Sequence, residues 1–207
     1  MSDAITNLKL DFSTSQTVWK FLQDKSFVRG LMGPVGSGKS YACAAEIMLK
    51  AVQQVASPKD GIKYSRFVVV RNSYPELRTT TIKTWQELFP ENIWGPFRWS
   101  PPLTHHIKLP SRDGAPGIDC EVIFLALDQP KDVRKLLSME LTGAWVNEAR
   151  ELPKAVIDGL TSVNASNYSD TFSVAPRVSQ IAGPTSVSTE RESHFLSVVS
   201  CSFTANA

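Results

Sequence analysis

Gly33-Pro34-Val35-Gly36-Ser37-Gly38-Lys39-Ser40 fills every fixed position of the pattern G-x-x-x-x-G-K-[ST]. Each residue type answers a need of phosphate binding. Gly33 and Gly38 admit backbone angles that a side chain blocks, so the loop can wrap a phosphate closely. Pro34, Val35, Gly36 and Ser37 span the distance between them, and the loop N–H groups turn inward as an anion nest. Lys39 brings a positive charge to the β- and γ-phosphates, and the Ser40 hydroxyl can ligand Mg²⁺. A helix starting at this point adds the positive end of its dipole. The chemistry is that of binding ATP with its Mg²⁺.

Turnover of a bound triphosphate needs an oxygen ligand near the metal and a base that aligns the attacking water. Ala144-Trp145-Val146-Asn147-Glu148 supplies both in the order expected of a buried strand and its tip. Glu148 is placed to act as the base. Asn147 stands where an acid is expected; being neutral, it orients a metal-bound water without offsetting charge. Arg71, Arg134 and Arg150 are candidate fingers for the γ-phosphate, with Arg78 more remote. The second position of the loop is Pro34 rather than arginine, which favours Arg134 acting on a neighbouring copy. His105 and His106 adjoin without further ligands for a metal. Trp94 and Trp99 read as loop packing.

These residues need a scaffold. The apolar run 27–32 predicts a strand entering the loop, and Tyr41 to Lys50 predicts a helix leaving it. Further strands are expected at 65–71, 120–126 and 143–147, with a hairpin strand at 105–108. Helices are expected over 76–88, 128–137 and from Leu152-Pro153 to about Leu160. Ser13-Thr14-Ser15-Gln16 caps a short helix in a lead-in covering 1–25. Strands alternating with helices predict an α/β fold, a mainly parallel sheet with helices on both faces. Its strand tips would carry Gly33–Ser40, Arg71, Asp128, Asn147 and Glu148 on one edge. Glutamate after the metal-ligand position, with a strand inserted between the two motifs, points to a P-loop NTPase of the RecA-like, ASCE type. Residues 1–162 form this domain. From 163 to 207, Ser and Thr make up roughly a third of the residues, Lys and Trp vanish, and no periodicity shows. This tail is expected to be loosely packed or irregular.

Composition narrows the class. The 207 residues suffice for one α/β core, and a net charge of +2 sets up no global basic field. Three widely spaced cysteines, Cys43, Cys120 and Cys201, argue against a disulfide framework and fit a reducing cytoplasm. No apolar run approaches the ~20 residues of a membrane span.

Arg71-Asn72-Ser73-Tyr74-Pro75-Glu76-Leu77-Arg78-Thr79-Thr80-Thr81-Ile82-Lys83-Thr84-Trp85 resembles the block downstream of the P-loop in large terminase subunits of tailed bacteriophages. Thr142 to Pro153 is similar to the Walker B block of one terminase branch, and Phe27 to Ser40 also fits. The resemblance runs from about residue 10 to 162. It implies an ATP-driven motor that packages double-stranded viral DNA through a portal protein, with a terminase small subunit and a homo-oligomeric ring as partners, in the host cell cytoplasm. It implies Lys39 and Ser40 as ligands of phosphate and Mg²⁺, Glu148 as catalytic base, and Gln16 as a reader of adenine. The coupling motif and the nuclease of full-length relatives are not read in this chain. A frameshift, a truncated gene and a fragment boundary all fit that reading. Another P-loop DNA translocase or helicase, and a nucleotide-binding fragment without turnover, are the competing function classes.

Overall fold

The computed structural model describes residues 15–24, 26–127, 134, 136, 138–166, 178–182 and 195–201. An eight-stranded sheet organises them: β1 Val28–Gly33, β2 Ile62–Arg71, β3 Phe97–Arg98, β4 Leu103–Leu109, β5 Gly117–Ala126, β6 Gly143–Val146, β7 Val178–Ala182 and β8 Phe195–Cys201. Their spatial order is β3-β4-β5-β2-β6-β8-β1-β7. β2 runs parallel to both β5 and β6, and β1 runs parallel to β7. β4 and β8 run against their neighbours. The mostly parallel α/β fold expected from the sequence is what the structure shows.

The helices are α1 Gln16–Gln23, α2 Lys39–Gln53, α3 over 74–88, α4 Glu91–Trp94 and α5 Lys154–Ser166. Ser15 caps α1, its hydroxyl accepting from the Val18 N–H at 3.4 Å. α3 is not uniform. An α turn at Tyr74–Glu76 leads into a π-helical stretch, Leu77–Ile82, before α-geometry resumes at Lys83–Leu88. Thr79 and Thr80 donate their hydroxyls back to the carbonyls of Pro75 and Glu76 at 2.9 and 2.7 Å. Those carbonyls are the ones an α-helix would bond from the same positions, so the threonines satisfy what the wider turn displaces.

β2 shows why helices cover both faces. Its Phe67, Val68, Val69 and Val70 are all fully buried. Phe67 and Val69 face one core with Ala44, Ile47, Trp85 and Phe124; Val68 and Val70 face another with Leu136, Ala144, Val156 and Leu160. Each such side chain stabilises the fold by about 1.5–3 kcal/mol through burial.

Two expectations require correction. Residues 178–182 and 195–201 are sheet strands, not irregular tail, and β8 lies in the middle of the sheet between β1 and β6. Backbone pairing supplies what the local sequence pattern did not announce. The 76–88 helix begins two residues early and carries the π-helical stretch. The expected helix at 128–137 falls mostly outside the described residues. Cys43 and Cys120 are buried; burial pushes the Cys120 thiol up to about 12, against a hydrogen bond from Ser65.

Candidate active site

β1 delivers the chain to Gly33 and α2 carries it away from Lys39. Gly36 and Gly38 take φ of 80° and 79°, left-handed angles that favour glycine, so the loop's reversal rests on these two positions. A Cβ on Gly33 would meet the Ser37 hydroxyl at 3.0 Å, which explains the first glycine by close approach. Lys39 is buried, and its ammonium donates to the carbonyls of Gly33 and Pro34 at 2.9 and 2.6 Å and to Ser37 Oγ at 3.3 Å. The lysine is thus folded over its own loop. Burial pushes its ammonium below the ordinary value, and the Glu148 carboxylate pulls it part of the way back.

β6 carries the opposite wall. The Asn147 N–H bonds to Val70 O at 2.9 Å, holding the tip of β6 to β2. The Asn147 side chain is buried and its Nδ2 donates to Thr81 Oγ1 of α3 at 2.8 Å. Glu148 then turns sharply, at φ 57° and ψ 55°, a left-handed conformation rare for a residue with a side chain. Its Oε1 lies 3.8 Å from Arg71, and its buried Oε2 accepts no hydrogen bond among the described residues. Burial raises the Glu148 pKa above its ordinary value; Arg71 opposes this, Glu151 reinforces it, and Lys39 and Arg150 oppose it. A carboxylate with an undirected oxygen, held basic by desolvation at a strained turn, is suited to accept a proton from water.

Arg71, at the tip of β2, gathers the acids. It lies 3.8 Å from Glu148, 3.5 Å from Glu151 and 3.7 Å from Glu76. The sequence offered Arg71 as one finger candidate among several; the structure places it against Glu148. Arg134 is exposed, and so is Arg150. Gln16 is the exposed first residue of α1. Ser40 is half-buried in the first turn of α2. Sequence reasoning missed Thr81, whose signal is the run Thr79-Thr80-Thr81 inside a helix that such residues disfavour.

The P-loop strand and β6 are separated only by β8. At ~4.8 Å per strand, their axes lie about 10 Å apart. β1 and β6 both run against β8, so Gly33 and Val146 end at the same edge of the sheet.

Among solved structures, this fold matches the large terminase from a thermophilic bacteriophage in complex with ADP, with a TM-score of 0.54 at 13% identity. The two share a mostly parallel α/β fold. A second crystal form of the same terminase matches with a TM-score of 0.53, also at 13% identity. In both cases 81% of this chain aligns with 38% of the other, so this chain spans well under half of those proteins. No family model and no curated protein matches the sequence.

Among the described residues, no group of three or more His, Cys, Asp or Glu is gathered to hold a metal. A Mg²⁺ that arrives on nucleotide phosphates asks for only one or two protein oxygens. Ser40 and Asn147 each carry one side-chain oxygen. His105 and His106 point to opposite faces of β4: His105 is buried against Trp85, whose Nε1 donates to its Nδ1 at 2.8 Å, and His106 pairs with Asp119. Trp94 is buried, and Trp99 stacks on Phe97 while its Nε1 donates to Glu91 at 3.0 Å. No helix among the described residues is long and apolar enough to cross a membrane.

Proposed function

We propose that this chain is the ATP-hydrolysing domain of a motor that packages viral DNA. The observation that carries the reading is that β1 and β6 both run against β8 and end at the same edge of the sheet, so Gly33–Ser40 and Asn147-Glu148 follow from nearby strand tips. Gly33 to Ser40 bind the phosphates of ATP, with Lys39 leaving its loop carbonyls for the β- and γ-oxygens. Ser40 and Asn147 contribute oxygens toward Mg²⁺, which enters with the nucleotide and offsets phosphate charge. Glu148 takes the proton of the attacking water, and Arg71 holds its carboxylate in place. Gln16 reads the adenine, and Arg134, exposed, reaches a neighbouring copy in a homo-oligomeric ring. Residues 1–162 supply the motifs; the strands of 178–201 complete the sheet that holds them.

On this reading the partners are double-stranded viral DNA, a portal protein and a terminase small subunit, at the procapsid in the host cytoplasm. The neutral Asn147, bound to Thr81, favours a second reading: nucleotide is held but not turned over. Phosphate release from ATP, measured with and without DNA, portal and small subunit across protein concentrations, separates the two. A motor domain hydrolyses slowly alone and faster per chain when assembled. Binding without any release under every condition refutes the motor reading.

A further inference from the structure

We infer that Arg29 is a positioning residue for the nucleobase side of the site: it fixes α1, and with it Gln16, against the strand that enters the P-loop and the helix that leaves it. The inference rests on the reading that Gln16 meets adenine. Arg29 is the second residue of β1, and it is only 1% exposed. Burying a guanidinium is costly, and an apolar side chain of similar volume would stabilise the fold at least as well. What arginine adds is direction, because its planar fork carries several donors at fixed angles.

The fork reaches two elements. One terminal nitrogen, Nη1, donates to the carbonyls of Phe21, in the last turn of α1, and of Asp24, which follows the helix, at 3.0 and 3.1 Å. The other, Nη2, donates to Glu46 of α2 at 2.6 Å, and the guanidinium lies 5.0 Å from the centre of the Phe21 ring. These bonds hold the end of α1 beside the start of β1. A helix of eight residues is too short to persist alone, so its setting comes from what it packs against. Val18 and Phe21 bury one side of it in the core that holds Leu31, Ala42 and Cys43, but apolar burial has no direction and does not fix a helix in rotation. Gln16 stands five residues before Phe21, about 8 Å along the helix axis, so any turn at the anchor is carried to its amide.

The test uses the full chain, with ADP, GDP and pyrophosphate as probes, each with Mg²⁺, by calorimetry. Wild type should favour ADP over GDP, and Gln16→Ala should lose that preference. Arg29→Met should lower the ADP-to-GDP affinity ratio by about fivefold, the size of one hydrogen bond, while pyrophosphate affinity stays within about twofold of wild type. Glu46 keeps Lys50 at 3.7 Å in that variant, so no carboxylate is left buried alone. Arg29→Lys keeps the charge but not the fork, and should lower the ratio in the same way. An unchanged ratio in a cooperatively melting Arg29 variant, beside a loss in Gln16→Ala, overturns the inference and leaves the adenine reading standing. A fall in pyrophosphate affinity equal to the fall for ADP also overturns it, since that marks a general loosening of the fold. No preference in wild type, or a preference that survives in Gln16→Ala, overturns the adenine reading and the inference with it. A readout independent of the folding of the variants comes from the wild-type chain by NMR. The amides of α1 and the guanidinium protons of Arg29 should exchange with deuterated water more slowly with ADP bound than with pyrophosphate bound. Equal exchange overturns the inference.

Discussion

Replacing Glu148 by glycine should make the chain more stable and abolish its hydrolysis. Glu148 holds φ 57° and ψ 55°, and a left-handed conformation costs a residue with a Cβ roughly 1–2 kcal/mol. Its Oε2 is buried without a donor, a desolvation worth roughly 1–3 kcal/mol. Two losses oppose these gains. Glycine adds about 0.5–1 kcal/mol of chain entropy to be lost on folding. The Arg71 contact at 3.8 Å disappears, but Glu151 at 3.5 Å and Glu76 at 3.7 Å still compensate the guanidinium, so its loss costs about 1 kcal/mol. The balance is a stabilisation of about 1 kcal/mol, or about 2–4 °C in Tm for a chain of this size. Glu148→Gln keeps the left-handed backbone, so the Tm gap between the two variants isolates the backbone share. Scanning calorimetry reads the stability, and phosphate release should fall at least about 10²-fold in both variants. A glycine variant that melts at or below wild type refutes the strain argument. One that still hydrolyses ATP removes Glu148 from the chemistry.

Lys39→Ala should weaken ATP binding by about 1.5–3 kcal/mol, roughly 10- to 150-fold by calorimetry, since a charge-assisted phosphate contact is lost. Stability should depend on pH through His105. Burial holds its pKa below the ordinary 6.5, with the Gly95 carbonyl contact opposing, so the unfolded chain binds the extra proton first. The stabilisation is complete above pH 6.5 and declines as pH falls below it, and His105→Gln should flatten that part of a denaturant-melt profile. Ending the chain after residue 166 should abolish cooperative unfolding by circular dichroism, because β1 would lose β7 and β8 together; a sharp transition in the shortened chain would show that those strands are dispensable.

Much of this site was legible because its parts are local. Gly33 to Ser40 declare themselves by spacing, and the buried run Gly143–Val146 followed by Asn147 and Glu148 declares the opposite wall. Assembly was less legible. Arg71 was one basic residue among several until the fold set Glu76, Glu148 and Glu151 around it. The run Phe195-Leu196-Ser197-Val198-Val199-Ser200-Cys201 does carry β-branched and apolar residues. Its Ser/Thr-rich surroundings masked that signal, and no local pattern says that a strand so late in the chain pairs with one near the start. The Asn147–Thr81 bond joins residues of two elements whose contact only the tertiary fold creates.

The placement of β8 also sets an order of events during synthesis. β2, β5 and β6 find one another among residues 62–146 and can assemble while the ribosome is still working. Val28–Gly33 emerges earlier than all of them, yet its neighbours are residues 178–182 and 195–201. The strand bearing the P-loop therefore waits with both edges open until residues as late as 201 have been made, a slow, long-range closure of the kind that exposes nascent chains to aggregation and chaperones. The Gly33–Ser40 loop gains the backing of both strands that flank β1 only when β8 has been made.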